Sequence, residues 1–584
     1  MNTPFEETVE KVDLCVVGGG IAGMLAAISA ARHGASVALM HDRPVLGGNA
    51  SSEIRMWLCG CAGRNNHETG IIEDLQLDNC FFNPYRNFSI WDTILFGAVR
   101  EEPRISLHLN CSCNSAKMDG DRIVSVTGWQ TTTQKWRTIE ATCFADCSGD
   151  SILAPLTGAE YRVGREAREE FGESLAQEKA DRRTMGMSCL IQARETTSPQ
   201  PFTPPPWAHS YPDASMLKPS LAHFDHHNNY WWLELGGMGD SIADTEVVRD
   251  ELLRTALGVW DHYKNHSDGA AANWALDWLG FLPGKRESRR LIGDLILTQK
   301  DIMEDRVFPD AVAYGGWPLD DHDPHGFEGK TPSNVSIPLK RPYQIPYRCL
   351  YSRNIANLFF AGRNISVSHV ALSSARVMCT CGIIGQAVGT AAATAIRHGD
   401  TPRGVFERHL GELRQTLLDD DCYIPGVRRE VPSPALHARL EGDVYGDIEN
   451  LRNGIDRPIG DIDNGASIRP GGCVSYLFDE PKAVEEARII LDSDLARLDA
   501  SKINIRSNYA IKYDPLKMPA PLARDLRVEI CETDGTWRTA ARITDNRRRL
   551  IRVPLGAETT GIRLVPERLW GGDAPCHLFA FDFR

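Results

Sequence analysis

Four histidines lie in segments whose residue types suit proton transfer. His369 lies in NISVSHVALSS, His322 and His325 lie in WPLDDHDPHG, and His67 lies in NNHETG. Histidine is the commonest side chain for moving a proton near neutral pH, so each of them could take a proton from a substrate hydroxyl group. We expect His369 and His322 to be catalytic. The alternatives are a histidine hydrogen-bonded inside a domain interface for His369, and a metal ligand or a solvated loop residue for His322.

Arginines form the second group of candidates. The planar guanidinium group donates two parallel hydrogen bonds, which suits a carboxylate or vicinal hydroxyl groups. We expect Arg55 and Arg376 to contact substrate, while Glu53 and Glu287 could instead hold nearby arginines in structural ion pairs. The arginines that lie in motif-like segments are Arg55, Arg290, Arg348 and Arg376.

Two patterns suggest metal ligands, but we predict no metal. Asp320, His322 and His325 have a spacing that could hold an ion. A structural zinc site usually shows C-x-x-C pairs, whereas this chain has two C-x-C pairs, at Cys59/Cys61 and Cys379/Cys381. The 16 cysteines are spread along the chain, which favours buried free thiols.

A glycine turn near the start of the chain belongs to an element that is expected to position these candidate residues. The segment DLCVVGGGIAG places Gly18, Gly20 and Gly23 in G-x-G-x-x-G spacing directly after an apolar run. In such a unit the first glycine makes a tight turn, the second admits a pyrophosphate and the third allows close packing of helix and strand. The flanking runs predict a strand at 14–17, a helix at 24–32 and a strand at 36–40, which together indicate a dinucleotide-binding βαβ unit.

Length and charge limit the classes of function. The 584 residues are too many for one core, and the net charge of −14 argues against nucleic acid or an anionic membrane as the main partner. We read no apolar run as long enough to span a membrane. The N-terminus, MNTPFEETVEKVD, lacks the features of a signal peptide, so the expected location is the cytoplasm.

Changes in composition divide the chain into five expected parts. The middle part is rich in Trp, Pro and His and suggests a substrate or cap domain. Its flanks show strand–glycine–helix patterns, and the last part shows regularly spaced strands that indicate an antiparallel β-sandwich. The expected boundaries are 1–164 and 346–400 for the two parts of a cofactor-binding domain, 165–345 for the cap domain, 401–435 for a helical linker and 436–584 for the sandwich.

Several separate segments carry a family resemblance. The segments GGGIAG, GGNASSEIRMW, ADCSGD, PGKRESRR, AYGGWPLDDH and NLFFAGR…GQAVGTAAA occur in this order. Over about residues 10 to 400 the chain resembles the FAD-dependent oxidoreductase family related to the fumarate reductase and aspartate oxidase flavoproteins. The last part resembles a galactose-binding-like sandwich. The implied fold is a discontinuous, Rossmann-like α/β domain for FAD with an inserted α+β cap domain and a C-terminal β-sandwich.

The resemblance implies which residues bind FAD. The first glycine turn would hold the pyrophosphate, and an acid at the end of the second strand would hold the ribose. This chain has His41 at that position and Asp42 one place later, so either residue could bind the ribose. The same comparison places His369 near the isoalloxazine ring. The implied cofactor residues are Gly18, Gly20, Ala22, Gly23, His41, Asp42, Arg43, Gly48, Asn49, Ser51, Asp146, Gly149, Asp150, Gly362, Arg363 and Thr380.

The resemblance implies an oxidoreductase with FAD as its cofactor. We expect a hydride to pass from a C–OH carbon of a polar, hydroxylated small molecule to the flavin, plausibly from a sugar, glycoside or sugar acid. One alternative is a reductase of a C=C bond next to a carboxylate, which the arginines favour. Another is a carbohydrate-binding protein with a structural FAD, in which Trp537 and Trp570 of the sandwich bind glycan. The sequence leaves the electron acceptor open and allows a homo-oligomer.

Overall fold

The computed structural model describes residues 5–497 and 505–584. In chain order, its helices are α1 (Ile21–Arg32), α2 (Ile71–Phe82), α3 (Phe88–Arg100), α4 (Leu153–Thr157), α5 (Arg168–Phe171), α6 (Thr245–Asp261), α7 (Gln299–Met303), α8 (His369–Ala375), α9 (Met378–His398), α10 (Pro402–Gly404), α11 (Leu410–Asp419) and α12 (Ser433–His437). Its strands are β1 (Glu7–Val17), β2 (Val37–Met40), β3 (Ile105–His108), β4 (Cys111–Asp119), β5 (Arg122–Gln130), β6 (Lys135–Asp146), β7 (Tyr161–Arg162), β8 (Met187–Ser188), β9 (Ile191–Glu195), β10 (Glu234–Leu235), β11 (Trp274–Leu279), β12 (Gly284–Lys285), β13 (Arg290–Leu291), β14 (Ala311–Gly315), β15 (Leu319–His322), β16 (Asn334–Ile337), β17 (Tyr343–Pro346), β18 (Leu358–Phe360), β19 (Arg439–Gly442), β20 (Val444–Gly446), β21 (Ala466–Ile468), β22 (Val474–Leu491), β23 (Ala523–Cys531), β24 (Trp537–Ile543), β25 (Leu550–Leu569) and β26 (Cys576–Phe583).

The chain forms two compact units. Unit 1 consists of Met1–Gly60, Arg86–Leu413 and Asn504–Asp514, and unit 2 consists of Cys61–Tyr85, Arg414–Ile503 and Pro515–Arg584. The expected cap segment and most of the expected cofactor segments therefore fall in unit 1. The segment Cys61–Tyr85 groups with the C-terminal residues, which sequence patterning did not indicate. The expected domain boundaries stay a prediction.

Unit 1 is built on a mixed sheet. Its strand order is β3-β2-β1-β6-β5-β4, and β18 also pairs with β6. The strands β3, β2, β1, β6 and β18 are parallel neighbours, whereas β4, β5 and β6 pair antiparallel. The predicted strand–glycine–helix–strand unit is confirmed as β1, α1 and β2.

The register aligns the carboxyl ends of four parallel strands. Val17 pairs with both Met40 and Asp146, and Asp146 also pairs with Phe360. The loops that follow β1, β2, β6 and β18 therefore start at one edge of the sheet. In sheets of this kind the carboxyl edge is where ligands bind.

The small-residue helix α9 packs against α1 in the core of unit 1. A Cβ atom on Gly385 would lie 2.1 Å from the Ala22 carbonyl oxygen, and one on Gly389 would lie 2.1 Å from that of Ala26. Glycine is therefore required at both positions, because the two backbones approach too closely for a side chain. The hydroxyl oxygens of Ser29 and Thr390 lie 2.8 Å apart and link the same two helices.

One helix differs in length and apolar composition from the sequence-based expectation about membranes. The 21 residues of α9 are long enough and apolar enough to cross a membrane. Its most apolar stretch is 94% buried inside the protein, which is the environment of a core helix. The location in the cytoplasm stays a prediction.

Unit 2 contains an antiparallel sheet. Its strand order is β20-β21-β26-β22-β25-β23-β24, with β19 also paired to β22. Apolar residues of these strands form one buried cluster, which includes Ile489, Leu526, Ile562 and Phe581. The C-terminal antiparallel sheet is confirmed, whereas the galactose-binding-like sandwich stays a prediction.

Candidate active site

A cavity of about 300 Å³ lies at the carboxyl edge of the unit 1 sheet. We call it the cofactor cavity. It is lined by the loops after β1, β2, β6 and β18 and by the start of α9. Of the residues expected to bind FAD, it is lined by Gly18, Gly20, Ala22, His41, Asp42, Gly48, Asn49, Gly149, Asp150, Gly362 and Arg363.

The first glycine turn fits a dinucleotide. Gly18 has φ of +108°, and a Cβ atom there would lie 2.3 Å from the Cys147 carbonyl oxygen, so the fold itself requires this glycine. A Cβ atom on Gly20 would meet only the Gly48 Cα at 3.9 Å. No described protein atom therefore demands glycine at position 20, and the space beside it belongs to the cavity. This is the cradle that a pyrophosphate needs beside the first turn of α1.

His41 is held by the backbone through both ring nitrogens. Its Nδ1 accepts a hydrogen bond from the Gly19 amide at 3.0 Å, and its Nε2 donates to the Val45 carbonyl at 3.0 Å. Burial lowers the pKa of His41, which favours the neutral ring that this pattern requires. The neighbouring Asp42 side chain is 60% exposed and lines the cavity. Of the two residues, Asp42 has the side chain that is exposed at the cavity, and the assignment of the ribose to either residue stays a prediction.

Five other residues expected at the cofactor do not line this cavity. Gly23 packs against Gly18, where a Cβ atom would lie 1.8 Å from the Gly18 carbonyl oxygen. Arg43 forms a bidentate ion pair with Glu53, and Ser51 accepts a hydrogen bond from the Glu53 amide. The remaining two, Asp146 and Thr380, are fully buried.

Asp146 organises the loop after β6. Its carboxylate accepts hydrogen bonds from the amides of Ser148 and Leu153 and from the Ser148 hydroxyl, at 2.7–3.0 Å. Burial raises the pKa of Asp146 despite these hydrogen bonds. Its role in this structure is to shape the loop that carries Gly149 and Asp150.

Asp150 lies between two cations at the cofactor cavity. Arg363 Nη2 lies 2.6 Å from Asp150 Oδ1, and Lys285 Nζ lies 2.8 Å from Oδ2. Burial would raise the pKa of Asp150, but Arg363 and Lys285 outweigh it and hold this pKa below its ordinary value. One carboxylate thus faces two cations, so one positive charge remains available to a phosphate or to a reduced flavin.

A second cavity, of about 230 Å³, shares part of its wall with the first. We call it the substrate cavity. Asn49, Arg363, Arg376 and Met378 line both cavities, so the two meet at the start of α9. The other polar residues of the substrate cavity include Asp320, His322, Lys285 and Arg286, and its aromatic residues are Trp57, Trp231 and Trp317.

His322 lines the substrate cavity in a carboxylate–imidazole pair. Its Nδ1 lies 2.7 Å from Glu234 Oε2, whereas its Nε2 has only a long contact of 3.4 Å to Asp320 Oδ2. Glu234 is buried, and although burial would raise its pKa, Arg286 and His322 hold it below the ordinary value. An ionised Glu234 fixes the imidazole with Nδ1 as donor and leaves Nε2 for a substrate.

Two arginines surround the pair. Arg286 lies 3.5 Å from Glu234 Oε2, and Arg376 Nη2 lies 3.1 Å from the Asp320 carbonyl oxygen and 3.5 Å from its carboxylate. Burial would raise the pKa of Asp320, but His322 and Arg376 hold it far below its ordinary range. Asp320 therefore stays ionised next to the imidazole. Arg376, a predicted site residue, lies at the junction of both cavities.

His369 lies outside both cavities, in a buried charged cluster. Its Nδ1 lies 2.9 Å from Glu287 Oε2 and its Nε2 lies 3.1 Å from Asp321 Oδ1. Burial opposes the charged ring, but these two carboxylates raise the pKa of His369 to about 10. A ring that is already protonated at neutral pH cannot accept a proton, so the geometry does not favour His369 as the base.

Arg55 also lies outside both cavities. Its guanidinium group stacks over Trp278 at 4.2 Å and Phe88 at 5.3 Å, and it contacts the Gln192 side chain. Sequence reasoning missed the residues that support His322, which are Glu234 and Arg286. Glu234 lies in no segment that stood out by pattern. Arg286 lies in PGKRESRR but was not singled out there, because the two residues come together with His322 only through the fold.

The comparisons with known proteins give one family match. A family model described as FAD dependent oxidoreductase matches residues 13–417. No curated protein sequence matches the chain.

The solved structures that match parts of this chain include three of low similarity. E. coli quinol fumarate reductase is 14% identical and covers 70% of this chain and 75% of its own, with a TM-score of 0.27. A geranylgeranyl bacteriochlorophyll reductase-like protein from Thermoplasma acidophilum is 9% identical. The match covers 71% of this chain and 86% of that protein, with a TM-score of 0.31. The family 32 carbohydrate-binding module from Streptococcus pneumoniae EndoD is 14% identical. The match covers 26% of this chain and 98% of that module, with a TM-score of 0.19.

Proposed function

Because this chain belongs to the FAD-dependent oxidoreductase family, with FAD as its cofactor, we propose that it oxidises a C–OH carbon of an uncharged, hydroxylated small molecule. The observation that carries the proposal is the Glu234–His322 pair, which lies in a cavity that adjoins the cofactor cavity. FAD, when bound, accepts a hydride at its N5 atom. The protein must then remove the hydroxyl proton.

We assign this proton to His322 Nε2. The Nε2 atom has no short protein contact among the described residues, whereas Nδ1 is fixed on Glu234. A substrate hydroxyl that donates to Nε2 would lose its proton to the ring as its carbon is oxidised. Glu234 and Asp320 are both ionised, so they stabilise the imidazolium ion that forms.

Substrate binding is assigned to the remaining wall of the cavity. Trp231 and Trp317 offer apolar faces of the kind that cover the C–H face of a sugar ring. Asp320 can accept a hydrogen bond from a second hydroxyl group. This combination supports the narrower proposal that the substrate is a sugar or a glycoside.

The charges of the substrate cavity favour an uncharged substrate. Arg376 faces Asp320, Arg286 faces Glu234, and Lys285 with Arg363 share Asp150. Each cation thus already has a carboxylate within 4 Å, and we assign the one positive charge left over at the shared Asp150 to the FAD phosphates or the reduced flavin. A carboxylate substrate would have to compete with these ion pairs.

A second function, reduction of a C=C bond next to a carboxylate, has one observation in its favour. The Nε atoms of Arg363 and Arg376 are buried and have no hydrogen-bond partner among the described residues. Those two N–H groups could meet an acidic substrate.

Anaerobic bleaching of the bound flavin tests the two functions against each other. We expect bleaching by at least one neutral sugar, glycoside or polyol from a panel. If no polyol bleaches the flavin, while an unsaturated acid reoxidises the chemically reduced flavin, the reductase assignment replaces ours. If neither occurs, the FAD is structural and the proposed function is wrong.

A further inference from the structure

Two histidines and a glutamate meet at the end of α9 that lies opposite the cofactor cavity. His398 is the last residue of α9, His409 ends a π-helical turn at Val405–His409, and Glu412 lies in the first turn of α11. One nitrogen or oxygen atom from each side chain lies within 4.8 Å of the other two. All three residues belong to unit 1, and we call them the α9–α11 cluster.

The two histidine rings of the cluster are stacked on each other. Their centroids lie 3.9 Å apart, and the ring planes differ by 10°. His398 Nε2 lies 2.8 Å from Glu412 Oε2, and His409 Nε2 lies 3.2 Å from Asp400 Oδ2. Each ring is thus held in place by one carboxylate, and the two imidazoles face the same small space.

Two arginines hold the carboxylates from the outside. Arg397 Nη2 lies 2.6 Å from Glu412 Oε1, which leaves the Oε2 atom on the side of the rings. Arg408 pairs with both carboxylate oxygens of Asp400, and its Nη1 lies 2.8 Å from Glu407 Oε2. Three carboxylates therefore face two guanidinium groups. With neutral imidazole rings, this group of side chains carries one negative charge in excess, which favours a cation.

The spacing of the cluster suits a tetrahedral metal ion after small movements. Zinc lies about 2.0–2.2 Å from imidazole nitrogen and carboxylate oxygen, so neighbouring ligands of a tetrahedral site are about 3.3 Å apart. The 2.8 Å contact between His398 and Glu412 would have to widen by only about 0.5 Å to admit the ion. The two rings would tilt toward each other at the edge that they share. The side chains of His398, His409 and Glu412 are 35%, 20% and 38% exposed, so they can make these movements without disturbing the core.

The backbone brings the three side chains together. His409 and Glu412 are three residues apart on consecutive helical turns, a spacing that places two side chains on one face. The π-helical turn ends at His409, so it sets where this ring meets the ring of His398. Turns of this kind are rare and are frequent at functional sites.

We propose that the α9–α11 cluster binds one zinc ion through His398, His409 and Glu412, with water in the fourth position. Two imidazole nitrogens favour zinc over magnesium and calcium, which prefer oxygen ligands. The bound ion joins the end of α9 to the first turn of α11. Sequence patterns did not indicate this site, because its residues lie on separate helical segments that meet only through the fold.

Calorimetric titration of the FAD-loaded full-length protein with ZnCl₂, after treatment with a chelator, tests the proposal. The test variants are His398→Gln and Glu412→Gln, which each remove one ligand. The matched control is His209→Gln. His209 pairs with Glu251, and their side chains are 32% and 37% exposed, close to the values for His398 and Glu412. Among the described residues, this control pair belongs to no group of three potential ligands.

We expect one Zn²⁺ site per chain whose affinity is at least tenfold weaker in His398→Gln and in Glu412→Gln and unchanged in His209→Gln. Flavin content and flavin bleaching should be the same in all four proteins, which separates this site from the two cavities. Equal Zn²⁺ binding by the unaltered protein and His398→Gln would overturn the proposal. An equal loss in His209→Gln would also overturn it, because it would show unspecific binding to surface histidines.

Cu²⁺ serves as a spectroscopic probe of the same ligands. Its electron paramagnetic resonance spectrum in the unaltered protein should show coupling to two nitrogen nuclei, and the spectrum in His409→Gln should show coupling to one. A spectrum without nitrogen coupling, or one that His409→Gln leaves unchanged, would contradict the assigned ligands. If His398→Gln does not fold, His409→Gln replaces it in the titration with the same expectations.

Discussion

The Nδ1 atom of His322 lies 2.7 Å from Oε2 of Glu234, and both side chains are almost completely buried. A buried carboxylate that holds one nitrogen of an imidazole ring leaves the other nitrogen to face the cavity. The ring is thereby oriented before any substrate arrives, and the new positive charge has a partner once a proton is taken.

Replacing the base should remove the oxidation without removing the cofactor. We expect His322→Gln to lower the rate of flavin bleaching by about 10²–10⁴-fold, the usual contribution of a general base. The flavin absorbance per protein should stay unchanged, because His322 does not line the cofactor cavity. His325→Gln is the matched control, since His325 is half exposed and pairs with Asp323. Equal bleaching rates in His322→Gln and the unaltered protein would refute the assignment.

Removing the charge of Glu234 should also lower the rate of flavin bleaching, but less than replacing His322 does. Glu234→Gln keeps the size of the side chain but loses the ion pair that stabilises a protonated His322. We expect a decrease of about tenfold or more in the rate at neutral pH, equal to at least about 1.4 kcal/mol. Measuring the pH profile of bleaching should show the limb that belongs to the base moved to lower pH, because the imidazolium ion is stabilised less. An unchanged profile would assign Glu234 a purely structural role.

The glycine turn predicts a selective loss of FAD. Gly20→Ala should fold normally, because its Cβ atom meets only one protein atom, at 3.9 Å. The added methyl group should instead enter the space for the pyrophosphate and reduce the flavin content of the purified protein at least tenfold. Gly97→Ala in α3 is the control, since nothing lies within 4 Å of its Cβ position. Retention of flavin by a folded Gly20→Ala would contradict the placement of the pyrophosphate.

The ribose contact can be assigned by comparing two neighbours. Asp42→Ala should weaken FAD binding by about tenfold with little change in stability, because this side chain is 60% exposed. His41→Ala should instead lower the melting temperature, because it removes two hydrogen bonds to the backbone. Flavin release during dialysis and thermal unfolding separate the two effects. The reverse pattern would assign the ribose to His41.

The buried imidazolium of His369 predicts a loss of stability at high pH. Its pKa is about 10 in the folded protein and about 6.5 when unfolded, so the folded state holds this proton more tightly. Its stabilising contribution is complete below about pH 6.5 and is lost as the pH rises toward 10, at about 1.4 kcal/mol per unit of pH.

Melting temperatures between pH 6.5 and 10 check this sign. The unaltered protein should lose stability over this range more steeply than His369→Gln, which has no proton to release there. His325→Gln should follow the unaltered protein. Parallel curves for the unaltered protein and His369→Gln would show that His369 does not carry a raised pKa.

Local patterns predicted the cofactor end of the site better than its catalytic end. The βαβ unit and the later strand–glycine–helix pattern, which forms β18 and α9, follow from short runs of apolar and glycine residues, whose spacing directly sets the backbone. His369 and His322 both lie in motif-like segments, and sequence spacing could not show which one faces the substrate. Strand alternation was the available signal, because Asp320 and His322 share one face of β15 while Asp321 points to His369. The partners Glu234 and Glu287 come from distant segments, and only the tertiary fold brings them into contact.

The backbone contact between α1 and α9 has a consequence for how the flavin is exchanged. The amino ends of these two helices both line the cofactor cavity, and the glycines at 385 and 389 bring the two helix backbones into direct contact. The two helices therefore cannot separate through changes of side-chain rotamers alone. Exchange of FAD would require this helix pair to open, so we expect the flavin to stay with each molecule through many turnovers and to leave at the rate of local unfolding.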